Sequence, residues 1–230
     1  GLELEAASGI RVGSGRAGAA DATDLPLLRD PLGRPLIPGS SLKGVLRSSA
    51  ERLLRGIRQD LACDILAKDY CLAGTRTPSD EQLETLCWTC RLFGNPAKAG
   101  RLVCFDLVAD QDRTIVRDGV AIDRAELKAK HGAKFDYEVC PPGTVFRGRI
   151  RLDDPEPGDV GLLAGLLDLM DAGLITVGGG VSRGLGQLRY RIRPTFTQIR
   201  AATFVPTAAP APVDLDRERR AFGERLEGSK

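Results

Sequence analysis

The chain is poor in histidine, tryptophan, methionine and tyrosine, with one, one, one and three among 230 residues. A nuclease built on two imidazoles is therefore excluded within one chain. Any phosphodiester chemistry must rest on carboxylates, a metal or positioning. The single His131 lies in a Gly/Lys-rich segment and is expected to be an exposed surface residue. An excess of one charge is missing too: 33 Lys and Arg against 31 Asp and Glu leave +2. A polyanion-binding surface must then come from local clustering.

Long apolar runs are also absent. The most apolar window, Val160 to Val177, carries Asp168 and Asp171 and ends in glycines, too short and too acidic for a bilayer span. No charged-then-apolar leader opens the sequence, so a cytoplasmic location without a membrane partner is expected. The start at Gly1, without Met, suggests a piece of a longer polypeptide. The dinucleotide fingerprint is missing, and a P-loop fails because Val45 stands where its lysine belongs. Ser40-Ser41-Leu42-Lys43 formally matches S-x-x-K, but no Ser-Asp-Asn partner motif follows.

What is present suits an ordinary globular chain, 42% hydrophobic and 28% charged, able to bury a real core. "LELEA" alternates as a strand, and the Gly/Ala-rich stretch after it is a loop. A helix is expected from about Ser41 to Gln59, with Leu42, Val45, Leu46, Leu53, Leu54 and Ile57 mostly on one face. Residues 60–95 hold four cysteines and little periodicity. "GRLVCFDLVAD" predicts a strand over Arg101–Ala109, and the segment from Arg113 an excursion of short strands and turns. "TVFRGRIRLD" predicts a strand with Val145, Arg147, Arg149 and Arg151 on one face. A buried helix over Val160–Ala172 and a last strand in "GLGQLRYRIRP" complete an α+β, ferredoxin-like pattern with long insertions. After Arg200 comes an Ala/Pro linker and a charged stretch, expected to be mobile or partner-bound.

Four groups carry candidate chemistry. In "PLIPGSSLKGVLR", Ser40 or Ser41 suits an N-cap, and Lys43 and Arg47 lie one turn apart near the helix's positive end, a good phosphate site. In "TVGGGVSRGLGQLRY", Gly179, Gly180, Ser182 and Arg183 form either a polyanion-binding loop or a flexible connection. Cys63, Cys71, Cys87 and Cys90 give C-x7-C-x15-C-x2-C, which favours a structural zinc staple, with Cys63 the least regular ligand. Cys104 reads as core, and Cys140 has no assigned role. Asp21 and Asp24 precede the basic helix; Asp24 is either a turn residue or a functional carboxylate beside a phosphate-binding surface.

"DLPLLRDPLGRPLIPGSSLKGVLRSSAE", "CRLFG", "VAIDR…AKFDYEVCPPGTVF" and "GGGVSRGLGQL" follow one another in an order that closely resembles the RAMP superfamily, specifically the backbone subunit of type III CRISPR effector complexes. The resemblance spans about residues 3 to 192. It implies a modified RRM-like palm over residues 1–200, with a zinc-bearing insertion at about 60–95, a β-hairpin thumb at about 112–142 and a tail from 201 to 230. It implies binding of guide RNA (crRNA) along Ser40–Arg47 and Gly178–Gly184, and neighbouring RAMP subunits or domains as partners. Asp24 matches the position of the catalytic carboxylate that cleaves complementary target RNA with Mg2+ or Mn2+. Arg11 departs from the family's usual His, and the all-cysteine set replaces a mixture of His and Cys. A cleavage-inactive scaffold and a guide-RNA-processing endonuclease stay open as alternatives.

Overall fold

The computed structural model describes residues 1–15, 23–199, 201–202, 205–206 and 210–228; Asp21 lies outside them. In chain order come β1 (Leu2–Ala6), β2 (Leu36–Ile37), α1 (Gly39–Ile57), α2 (Asp80–Glu84) and α3 (Trp88–Phe93). Next are β3 (Gly94–Asn95), β4 (Lys98–Ala99), β5 (Leu102–Cys104), β6 (Leu107–Ala109), β7 (Ile115–Asp123) and β8 (Lys128–Val139). Then follow β9 (Val145–Gly148), β10 (Ile150–Leu152), α4 (Asp159–Asp171), β11 (Leu188–Ile192) and α5 (Leu215–Gly228).

Alternation builds β1: Leu2, Leu4 and Ala6 are buried, while Glu3 and Glu5 point away and pair with Arg147 (3.3 Å) and Arg191 (2.9 Å). β1 is central to an antiparallel sheet of order β11-β1-β9-β6-β2. Leu42, Leu46, Ala50 and Leu54 of α1 join Leu162, Leu163, Leu166, Leu167 and Met170 of α4 in one apolar cluster with Leu2, Leu4 and Phe146. Each such side chain contributes about 2 kcal/mol. The chain is thus α+β, and among the described residues no helix is long and apolar enough to cross a membrane.

Four expectations are corrected. The strand over 101–109 is two strands, and so is the one in "TVFRGRIRLD". They break opposite each other, where Phe105 N–H donates to the Arg149 carbonyl (3.1 Å) and the Arg149 guanidinium lies 4.1 Å over the Phe105 ring. β5 and β10 then pair in a small sheet of their own, and the neighbours Val145 and Phe146 are both buried. The expected short strands after Arg113 are one long antiparallel hairpin, β7–β8, from Ile115↔Val139 to Asp123↔Lys128. His131 on it is exposed.

The charged end of the tail is a docked helix. Among its contacts with the rest of the chain, the Phe222 ring lies 5.5 Å from Trp88, and Arg225 sits 4.1 Å over the same indole while pairing with Glu156 at 2.9 Å. A Cβ on Gly161 would stand 2.3 Å from the Glu218 carbonyl, so only glycine lets α5 approach α4 this closely. The fourth correction is the start of α1, which governs the first candidate site.

Candidate functional site

Helix α1 begins at Gly39, with Pro38 in the cap position and no side-chain cap. Ser40 and Ser41 therefore lie inside the first turn, and their assignment as caps is corrected: neither is positioned ahead of the free amides. The cap comes from the break in the sheet, where Asp106 Oδ1 accepts from Gly39 N–H at 2.7 Å. A Cβ on Gly39 would stand 2.0 Å from the Cys104 carbonyl, so the helix starts tight against β5.

Ser40, Lys43 and Arg47 line an open cavity of about 670 Å³, together with Asn95, Lys98 and Cys104. The two cations differ. Arg47 is tied inward: Nε to Glu51 Oε1 (2.7 Å), Nη1 to the Gly94 carbonyl (2.5 Å) and Nη2 toward Cys90 Sγ (3.7 Å). Lys43 forms no ion pair with a described residue and keeps its charge for the cavity. Cys104, half-buried on the cavity wall, has its thiol pushed up to about 11 by burial, against the pull of Lys43.

Behind Arg47 the four cysteines converge. The sulfurs of Cys63, Cys71, Cys87 and Cys90 all lie within 4.8 Å of one another; tetrahedral zinc thiolate would set them ~3.8 Å apart. Backbone amides already point at the sulfurs, Cys63 N–H to Cys87 Sγ and Cys87 N–H to Cys71 Sγ, both at 3.4 Å. The hydrogen bond with Cys90 pulls the Cys87 thiol down to about 4, while burial pushes Cys71 up to about 11. Four sulfur donors, amides aimed at them and a guanidinium alongside suit a closed structural metal site, and zinc is compatible with it. Trp88, between the last two cysteines, anchors this segment to α4 by donating Nε1–H to buried Asp159 (2.7 Å).

Asp24 sits elsewhere. Residues 12–14 and 26–28 pair as two arms, through Leu28 N–H to the Val12 carbonyl (2.8 Å) and Ser14 N–H to the Pro26 carbonyl (3.1 Å). Asp24 lies just ahead of the second arm, against strand β8. Its N–H donates to Asp136 Oδ1 (2.7 Å), and Asp136 N–H donates back to Asp24 Oδ2 (3.0 Å). Below this clasp Leu25 bridges Tyr137 in parallel, and Glu138 accepts from Leu27 N–H (3.0 Å), Thr114 (2.7 Å) and Arg29. Burial pulls the Glu138 carboxyl upward, but these hydrogen bonds and the Arg29 charge outweigh it and hold it below its ordinary value.

The glycine-rich loop reaches the same strand from another direction. Gly179 N–H donates to the Arg11 carbonyl (2.8 Å), and Arg183 lies 5.9 Å from the Phe135 ring centre. Gly178 and Gly180 have φ of +89° and +78°, and a Cβ on Gly178 would fall 2.2 Å from the Arg11 carbonyl. Ser182 and Arg183 are exposed. The structure thus brings Asp24 and Gly179–Arg183 to β8, while Ser40, Lys43 and Arg47 line one cavity and Arg47 reaches the cysteine cluster. Sequence reasoning missed Asp106, Asp136 and Glu138. The last two carried one usable signal, since "DYE" puts two acids on the same face of a strand.

Residues 3–189, which span the two core helices, the hairpin, the cysteine segment and most of the sheet, match the model of the RAMP superfamily; the chain belongs to that superfamily. It is also similar to proteins named CRISPR system Cms endoribonuclease Csm3. That of Mycobacterium tuberculosis is 30% identical over 215 residues, covering 81% of this chain and 83% of the relative. Those of Methanocaldococcus jannaschii and Streptococcus thermophilus are each 27% identical, over 83% and 82% of this chain and 76% and 84% of the relatives.

Proposed function

We propose that this chain is a crRNA-binding backbone subunit of a type III CRISPR effector and cleaves complementary target RNA beside Asp24. The observation that carries the reading is the exposed Asp24 carboxylate, fixed by backbone hydrogen bonds to the hairpin in a chain whose relatives are named endoribonucleases. Strands β1, β6, β9 and β11 with α1 and α4 follow a β-α-β-β-α-β course, which supports the RRM-like palm. The hairpin β7–β8 is the thumb, entering between guide and target. Segment 60–95 is the zinc insertion, holding Zn2+ through Cys63, Cys71, Cys87 and Cys90.

Guide-RNA phosphates lie along Ser40, Ser41 and Lys43 and along Gly179, Gly180, Ser182 and Arg183. Arg47 supports that wall from behind, since its donors are engaged within the chain. Neighbouring RAMP subunits or domains continue the filament along the guide. Cleavage is attack by the ribose 2′-oxygen on the adjacent phosphorus. The P–O5′ bond breaks, leaving a 2′,3′-cyclic phosphate and a 5′-hydroxyl; the 2′ proton is lost and the leaving oxygen gains one. Asp24 Oδ1 has no hydrogen-bond partner among the described residues, which suits a hard, oxygen-seeking cation such as Mg2+ or Mn2+. When bound, that cation neutralises the phosphate. Sequence is read by base pairing to the guide.

The test is Asp24→Ala in the assembled complex. Cleavage beside this subunit is expected to fall roughly a hundredfold or more, the scale of a lost catalytic group, with RNA binding kept. Unchanged cleavage would overturn the reading and leave a binding scaffold.

A further inference from the structure

We infer that Asp136 is a positioning residue for Asp24, so that the hairpin strand β8 itself sets where the reactive carboxylate stands. The inference rests on the proposed role of Asp24. Its basis is the reciprocal clasp, in which each aspartate's carboxylate accepts the other's backbone N–H, at 2.7 and 3.0 Å, across 112 residues of sequence. Among the described residues Asp24 has no hydrogen bond outside this clasp. Asp24 is exposed, and the next attachment down the loop is the Leu25–Tyr137 bridge, again to β8.

The chemistry of the clasp is specific. Asp136 is half-buried, and its Oδ1 is spent on the Asp24 amide, so its carboxylate works as an acceptor rather than as a free anion. With Asp24 Oδ2 bound to the Asp136 amide, Oδ1 is the oxygen left for the reaction, and its direction is fixed relative to β8. The strand is anchored in turn by Glu138, which holds Leu27, Thr114 and Arg29. Displacement of β8 by a duplex would therefore carry Asp24 with it. A rigid link of this kind matters because a misplacement of about 1 Å can cost roughly a hundredfold in rate.

An acceptor role predicts that amide can replace carboxylate. In the assembled complex with guide and target bound, Asp136→Ala is expected to slow cleavage beside this subunit about tenfold and to raise the Mg2+ concentration needed for half-maximal rate. Target affinity should be unchanged. Asp136→Asn keeps an acceptor oxygen and should restore most of the rate and the metal response. Wild-type cleavage by Asp136→Ala overturns the inference. So does equal loss in Asp136→Asn and Asp136→Ala, because the charge and not the acceptor would then be what matters. Loss of target affinity in both variants, measured without cleavage, likewise overturns it in favour of a purely structural role. Asp24→Ala run alongside separates the levels: if it cleaves normally, the assignment of Asp24 fails, whereas loss there with normal Asp136→Ala cleavage removes only the clasp.

Discussion

The two candidate regions are fixed to the fold in opposite ways. Around the start of α1, side chains from several elements do the holding: Arg47 bridges Glu51, Gly94 and Cys90, Asp106 caps the helix, and four sulfurs gather behind. Around Asp24 the holding is by carboxylates accepting from main-chain amides, a short run of hydrogen bonds between an exposed segment and one strand of a hairpin. A surface that grips a continuous polyanion gains from a rigid, pre-formed wall. A carboxylate that must meet a scissile phosphate gains from moving with the element that presents it.

The most severe way to break this contrast is to take the proposed zinc from the first region. Structural zinc contributes on the order of 10 kcal/mol in small sites. Chelation or Cys90→Ser should therefore unfold the segment around α3 and abolish guide binding, with elemental analysis giving one zinc per native chain. Circular dichroism and thermal melting would show it; full stability after chelation would remove zinc from the account. Next in size is the loss of cleavage in Asp24→Ala, which should leave the melting temperature unchanged. The two regions would then separate cleanly, one failing in stability and the other only in rate.

The two cations sharpen the comparison within the first region. Lys43→Ala should weaken RNA binding for all sequences alike and lower the slope of log affinity against log salt by about 1. Arg47→Ala should act mainly on the fold, because it leaves the buried Glu51 carboxylate with only the longer Arg55 contact of its two arginine pairs, at a cost of roughly 1–3 kcal/mol by thermal or urea unfolding. Equal effects on salt slope would return Arg47 to the RNA surface. The smallest effect concerns acid. The Glu138 carboxyl is held below its ordinary 4.5, so its contribution is complete above that value and is lost as pH falls through the lowered one. Hydrogen exchange at Leu27 should quicken there before the core amides do; Glu138→Gln should remove that pH dependence.

Much of the scaffold was legible because local periodicity encodes it. Leu2, Leu4 and Ala6 against Glu3 and Glu5 gave β1, and the apolar run after Asp159 gave α4. The hairpin was legible from the resemblance and not from periodicity, since Val116, Val120 and Ile122 are exposed on it and no buried face imposes a clean period of two. The helix start was misplaced because its cap lies 67 residues away, at Asp106, where a strand breaks. The cysteines were found by spacing, but their arginine neighbour was assigned to RNA phosphate because its basic charge was visible and Glu51's claim on it was not. Asp24 came from resemblance, and its partner Asp136 could be found only in three dimensions.

Glycine at 161 gives the docked tail a further meaning. Helix α5 rests on α4 through a gap that admits a hydrogen atom and no carbon, with the Glu218 carbonyl 2.3 Å from where a methyl would stand. One methyl group is thus a wedge that can pry the tail from the body while leaving every tail residue unchanged. Gly161→Ala turns a fixed brace into a loosened one, and it would strip from Trp88 the ring and guanidinium that now pack against its indole.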